Sequence, residues 1–161
     1  MRAPDRGPIG RGRYALVEAS AGPATYIGSV RTQRQTVDYA LQRRSLLASV
    51  NAGRTAVKAV CDADPYLLRA AKFHGRPSEV LCPICRKEQL TLVSWVFGDS
   101  LGPASGSART DAELSELEST RVEFSVHVVE VCRSCNWNHL VQSYVAGLPP
   151  QPRRRRRAAP G

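Results

Sequence analysis

Two Cys-x-x-Cys pairs, Cys82-Pro83-Ile84-Cys85 and Cys132-Arg133-Ser134-Cys135, constrain this chain more than any other feature. Zn²⁺ has no ligand-field preference, and four soft thiolates at about 2.3 Å close around it as a tetrahedron that leaves no coordination position for a substrate. Each pair sets two sulfurs on one tight turn, so the 46 residues between Cys85 and Cys132 must fold back to lay the second turn beside the first. That insert is longer than the usual spacing of about 15 to 20 residues. The main rival is a redox dithiol, because Cys-Pro-x-Cys also occurs in thioredoxin-like and glutaredoxin-like sites, where a strand runs into a helix at the motif. Here the polar stretch Gly75 to Glu79 precedes Cys82, and Arg86-Lys87-Glu88-Gln89 leads into a β-rich run. The pattern predicts a knuckle followed by a strand, with one structural zinc ion on Cys82, Cys85, Cys132 and Cys135.

The chain has 161 residues, 42% of them hydrophobic, enough for one domain or two small ones. Five cysteines without a convincing signal peptide suit a reducing compartment in which they serve metal rather than disulfides. The mildly apolar stretch from Tyr14 to Val30 is interrupted by Glu18, Gly22 and Pro23, too short for a membrane span. A cytoplasmic protein is the expectation. The net charge of +9 is unevenly spread: the Arg153 to Arg157 run holds five cations, residues 31–87 hold eleven Lys and Arg against four acids, and residues 88–150 hold three Arg against eight acids.

Residues 1–30, rich in Gly, Pro, Ala and Arg, show no sustained period and predict disorder. Thr32 is expected to cap a helix reaching about Val50, ended by Asn51 and Gly53. A short helix over about Thr55 to Cys61 follows, then one opened by Asp64 as N-cap and Pro65 at the first helical position, running to Phe73. That pair has the spacing of a helix-turn-helix, a weak signal. From Leu90 to Phe97 the apolar period changes to two, and Gly98-Asp99 marks a turn. Ser100 to Ala108 is expected to be a loop, and Thr110-Asp111-Ala112-Glu113 a capping box opening an acidic helix to about Ser119. Alternation returns from Val122 to Val131, and His139 to Val145 supplies a third strand. The expected fold is therefore α+β: a small helical bundle over residues 31–78, a three-stranded antiparallel zinc ribbon with a helical insert over residues 79–147, and a disordered Pro/Arg-rich tail over residues 148–161.

The strings Gln33-Arg34-Gln35, Asp38-Tyr39-Ala40-Leu41, Cys61-Asp62-Ala63, Pro65-Tyr66-Leu67-Leu68-Arg69-Ala70-Ala71, Val129-Glu130-Val131-Cys132 and Trp137-Asn138-His139-Leu140, with the first knuckle, form a specific set. Over roughly residues 31–147 the chain resembles an uncharacterised family of small actinobacterial zinc-ribbon-like proteins, a domain of unknown function. The resemblance implies no catalytic residue and no partner. It does imply that such proteins begin near position 30, which would make Val30 a start and residues 1–29 an extension.

Other candidate residues have plain structural readings. Cys61 suits a buried helical thiol better than a fifth ligand. His139, four residues past Cys135, suits packing near the knuckle or a hydrogen bond to a sulfur better than replacing a thiolate. His127 falls on the polar face of its strand, and His74 before Gly75 suits a helix-end cation. Trp137 either projects from a knuckle tip to stack on a partner or covers one side of the metal. Asn136, just past the last cysteine, is a residue that accepts positive φ cheaply.

With no metalloprotease helix motif, phosphate loop or nucleophile elbow in the sequence, an enzyme with a small-molecule substrate has little support. Arg153, Arg154, Arg155, Arg156 and Arg157 follow a proline-rich spacer and would bind phosphates without reading sequence. Arg43, Arg44, Arg54, Lys58, Arg69 and Lys72 would add a second patch if they share a face. The favoured expectation is a non-enzymatic zinc-ribbon protein associated with nucleic acid or a nucleoprotein complex. The alternative is a protein-interaction adaptor with purely structural zinc, and the third a Cys-x-x-Cys redox protein.

Overall fold

The computed structural model describes residues 33–150. The first strand, β1 (Arg34–Asp38), leads into helix α1 (Ala40–Asn51), a 3-10 turn (Val57–Ala59), helix α2 (Pro65–Phe73) and strands β2 (Arg76–Leu81) and β3 (Gln89–Phe97). A second 3-10 segment (Asp99–Ala104), strand β4 (Ser107–Arg109), helix α3 (Asp111–Thr120) and strands β5 (Phe124–Val131) and β6 (Asn138–Ala146) complete the order. All six strands join one antiparallel sheet in the order β1-β6-β5-β3-β2. β3 pairs β5 along one edge, and β2 and β4 share its other edge.

The expected helical bundle is overturned. Residues 34–38 form an edge strand instead of the first turns of a helix, and α1 starts only at Ala40, where the Asp38 carboxylate accepts the Ala40 N–H at 2.6 Å. Between Thr55 and Cys61 there is only the three-residue 3-10 turn, so no helix-turn-helix forms. β2 occupies what looked like a polar linker, with Pro77 tolerated because its strand is at the sheet edge. β4 starts within the expected loop and runs one residue past it. The Thr32 cap, residues 1–30 and the Arg153 to Arg157 run lie outside the described residues.

Where local chemistry decides, the elements start as expected. The Asp64 carboxylate accepts the N–H groups of Tyr66 and Leu67 at 2.7 and 2.8 Å ahead of Pro65. Thr110 and Glu113 form a reciprocal capping box at the start of α3. Its backbone and hydroxyl hydrogen bonds hold the Glu113 carboxyl below its ordinary pKa.

Strand alternation assigns the core to two faces. Val93 and Trp95 of β3 with Val129 and Val131 of β5 meet Leu67, Leu68, Ala70 and Ala71 of α2 on one face. On the other, Val96, Val126, Phe124 and Tyr144 pack on Leu101 and on Leu114 of α3. Towards the knuckles, Leu46, Leu47 and Val50 of α1 pack over Leu90, Trp137 and the cysteines. Gly75 permits the turn from α2 into β2, because a Cβ there would collide with Thr91 Cγ2 and the Ala71 carbonyl oxygen. Gly75→Ala is expected to cost about 1–3 kcal/mol, read as a lower denaturant midpoint with unchanged metal content.

Candidate metal centre

Each knuckle is a turn of the same design. In the first, the Cys82 N–H donates to the Glu88 carbonyl at 2.9 Å and the Arg86 N–H to the Cys82 carbonyl at 3.1 Å. In the second, the Cys132 N–H donates to the Trp137 carbonyl at 2.8 Å and the Asn136 N–H to the Cys132 carbonyl at 2.9 Å. The residue after each second cysteine is left-handed, with φ of 54° at Arg86 and 65° at Asn136. Asn136 thus has the conformation its residue type suggested.

Strand register brings the turns together. β3 and β5 are antiparallel with Thr91 opposite Val131, so the turn before β3 and the turn after β5 fall at the same end of the sheet. The first motif sits between the two strands of the β2–β3 hairpin, not at a strand running into a helix. The Sγ atoms of Cys82 and Cys135, and those of Cys85 and Cys132, are each 3.6 Å apart, and all four lie within 4.8 Å of one another. A tetrahedron with metal–sulfur bonds of about 2.3 Å has edges of about 3.8 Å, so these four sulfurs fit a single thiolate-bound metal ion.

Backbone amides prepare the sulfurs. The Lys87 N–H bonds to Cys85 and lowers its pKa to about 7. Burial raises Cys132 and Cys135, the latter to about 12, against opposing bonds from the N–H groups of Ser134 and Cys135 and of Trp137 respectively. Cys85 therefore becomes a thiolate before Cys132 and Cys135, and a metal must displace protons from those two thiols. Metal affinity accordingly rises with pH. Glu88 spans the two knuckles: its Oε2 accepts the Ser134 hydroxyl at 2.5 Å and lies 3.9 Å from Cys132 Sγ.

Cys61 sits just past the 3-10 turn, with its Sγ 3.9 Å from Cys135 Sγ but outside the group of four. Burial pushes its thiol pKa up, which suits a neutral sulfur packed on a ligand. His139 stacks on Trp137, ring centroids 6.1 Å apart, and takes no place among the four. Of the two readings of Trp137, the inward one holds: the side chain is 0% exposed, and its indole N–H donates to Glu130 Oε1 at 2.9 Å. His127 is half-buried, with its ring 5.1 Å from that of Phe97. His74 stands at the C-terminus of α2, 3.7 Å from a Glu113 carboxylate oxygen.

The predicted cations do not form one patch. Arg43 is half-buried and committed to Glu130, Nε to Oε1 at 2.6 Å. Arg44, Arg54 and Lys58 are exposed on α1 and the segment after it, whereas Arg69 and Lys72 are exposed on α2, across the sheet. Arg86 and Lys87 on the first knuckle and Arg133 on the second are also exposed, which the sequence reading missed. Their adjacency to the cysteines was the available signal. Glu130 was missed as well, and an acid alternating with Val129 and Val131 in a strand gave no sign that it would be buried.

Residues 30–160 match a family of unknown function, DUF5318. Over 111 residues the chain is 72% identical to uncharacterised proteins of Mycobacterium bovis and of Mycobacterium tuberculosis, spanning 69% of this chain and 81% of each relative. No solved structure matches.

Proposed function

Since the chain belongs to the DUF5318 family, a family of unknown function, we propose its role from its own geometry: a non-enzymatic binding protein in which one structural zinc ion locks the knuckles and the cations around them engage the phosphates of nucleic acid, free or within a nucleoprotein complex. Zinc is the metal that an all-thiolate, closed tetrahedral donor set suits. The observation that carries the reading is the set Arg44, Arg54, Lys58, Arg86, Lys87 and Arg133, all exposed and in no ion pair among the described residues. They come from four segments that converge on the metal end of the sheet. At the opposite end stand Asp99 and Glu116, with Asp111 and Glu123 paired to Arg76 and Arg34, so the excess of unpaired cations lies at the metal end. A polyanion approaching these cations is steered to the knuckles.

Native mass spectrometry is expected to give one zinc per chain. RNA and duplex DNA binding is then measured across salt concentration for the full chain and for Arg86→Ala/Lys87→Ala/Arg133→Ala. Loss of three phosphate contacts should flatten the log–log salt slope by about 3. If that variant binds as before while replacing Arg153 to Arg157 by Gln abolishes binding, the metal end is not the interface. An adaptor role with a protein partner would then take its place.

A further inference from the structure

Away from the metal centre, α2 and β4 border a half-open cavity of about 310 Å³. Its lining combines two arginines, Arg69 and Arg109, with His74, Ser107 and the aromatic rings of Tyr66 and Phe73. We propose that this cavity is a binding site for a nucleotide, an anionic phosphate carried on a planar base, either free or as one residue of a single strand.

Three features point to that chemistry. First, two residues of the lining each carry a nitrogen that makes no hydrogen bond among the described residues, Arg109 Nε and His74 Nδ1, the latter only in ion-pair range of Glu113. A buried guanidinium N–H left unpaired is costly, and a phosphate oxygen is the acceptor that its planar fork fits. Second, the arginine is held in place. Glu113 receives Arg109 Nη1 at 3.3 Å and lies 3.7 Å from His74 Nδ1, while its own carboxylate is fixed by the Thr110 backbone and hydroxyl. Glu113 offsets one positive charge, and Arg69 remains as a second cation at the rim, in no ion pair among the described residues.

Third, the rim exposes aromatic surface that the fold does not use. Tyr66 is 56% exposed and Phe73 is 64% exposed, two turns apart on α2 and on either side of Arg69. Tyr66 leans on Trp95, with ring centroids 5.5 Å apart, and Lys72 Nζ lies 5.2 Å from the Phe73 ring centre. An apolar ligand would leave Arg109 Nε without an acceptor, and a bare phosphate would leave the exposed parts of both rings in water. A phosphate with a stacking base satisfies both. The cavity volume lies at the low end of the range for ligand sites, about 300–1,000 Å³, which suits one nucleotide and not a dinucleotide.

The test titrates the zinc-loaded full chain with the four nucleoside monophosphates, adenosine, inorganic phosphate and a short single-stranded oligonucleotide, by calorimetry and by amide shifts of α2 and β4. Monophosphates are expected to bind, with adenosine and phosphate each weaker by about tenfold or more. Arg69→Ala and Phe73→Ala, both at exposed positions that leave the fold intact, should each weaken binding by about tenfold. Arg133→Ala at the metal end should leave it unchanged, so the site stands or falls apart from the polyanion reading. Binding of the oligonucleotide alone, with the same loss in both variants, assigns the ligand to a strand. Equal affinity for inorganic phosphate and monophosphates, or no shift in α2 with any ligand at millimolar concentration, overturns the proposal.

Discussion

Stripping the metal with a chelator, or replacing Cys132 by Ser, is expected to unfold the knuckle end of the sheet and lower the melting temperature sharply. Cys82 and Cys132 have no exposed surface and belong to the same buried cluster as Val60, Leu90 and Trp137. Without metal, the raised pKa values of Cys132 and Cys135 keep them as thiols. The cluster then holds weakly bonding S–H groups where metal–sulfur bonds stood. Binding of structural zinc supplies about 10–16 kcal/mol in small zinc domains, comparable to the whole stability of about 5–15 kcal/mol of an ordinary domain. Hydrogen exchange locates the loss: amides of Val131, Cys132 and Trp137 should lose protection before those of Val96 and Val126, which sit in the far cluster. Metal-free protein with an unchanged strand signal and melting temperature would rule out a structural metal.

The second large effect belongs to Glu130. Only 5% exposed, it is the buried charged residue among the described core, and one oxygen accepts both Arg43 Nε and the Trp137 indole N–H. This contact clamps α1 to β5 and orients the tryptophan packed against the cysteines. Glu130→Ala strands a half-buried guanidinium and a buried indole N–H, and is expected to cost about 3–5 kcal/mol. Glu130→Gln keeps a neutral acceptor for one of the two donors and should cost less, about 1–3 kcal/mol. Denaturant midpoints measure the difference, and Trp137 emission reports whether the indole becomes wet. A Glu130→Ala protein as stable as the parent would show that Arg43 and Trp137 find water or other partners at no cost.

What the sequence revealed follows from how far each cause reaches along the chain. The Asp64 and Thr110 caps are satisfied within three residues, so their helices were legible. The alternation of β3, β5 and β6 reflects burial of a strand's own side chains, and it too was legible. β1, β2 and β4 are different. β1 and β2 are mostly exposed and β4 is only three residues long, and they are strands because the edges of β6 and β3 offer hydrogen-bond partners outside their own segments. Thr32 to Asp38 therefore looked like the start of the helix that follows it. The cysteine group was legible because metal chemistry dictates its spacing. The Arg43–Glu130 pair, 87 residues apart, has no local mark at all, and Arg43 was accordingly counted among the phosphate-binding cations.

The pairing of β3 with β5 carries a consequence for how this chain reaches its fold. These central strands belong to two hairpins whose knuckles are separated by 46 residues, and their register must be found across that span. Closing so long a loop is slow in entropy terms and precedes any reward from pairing. Each hairpin, by contrast, closes over a short span, and each carries two of the four clustered cysteines at its tip. An ion captured by one knuckle and then by the other would bring Thr91 opposite Val131 before the rest of the two strands had zipped. The metal would then act as the primer of the sheet, setting the speed of assembly and excluding a slipped register, with the segment between β3 and β5 laid down afterwards.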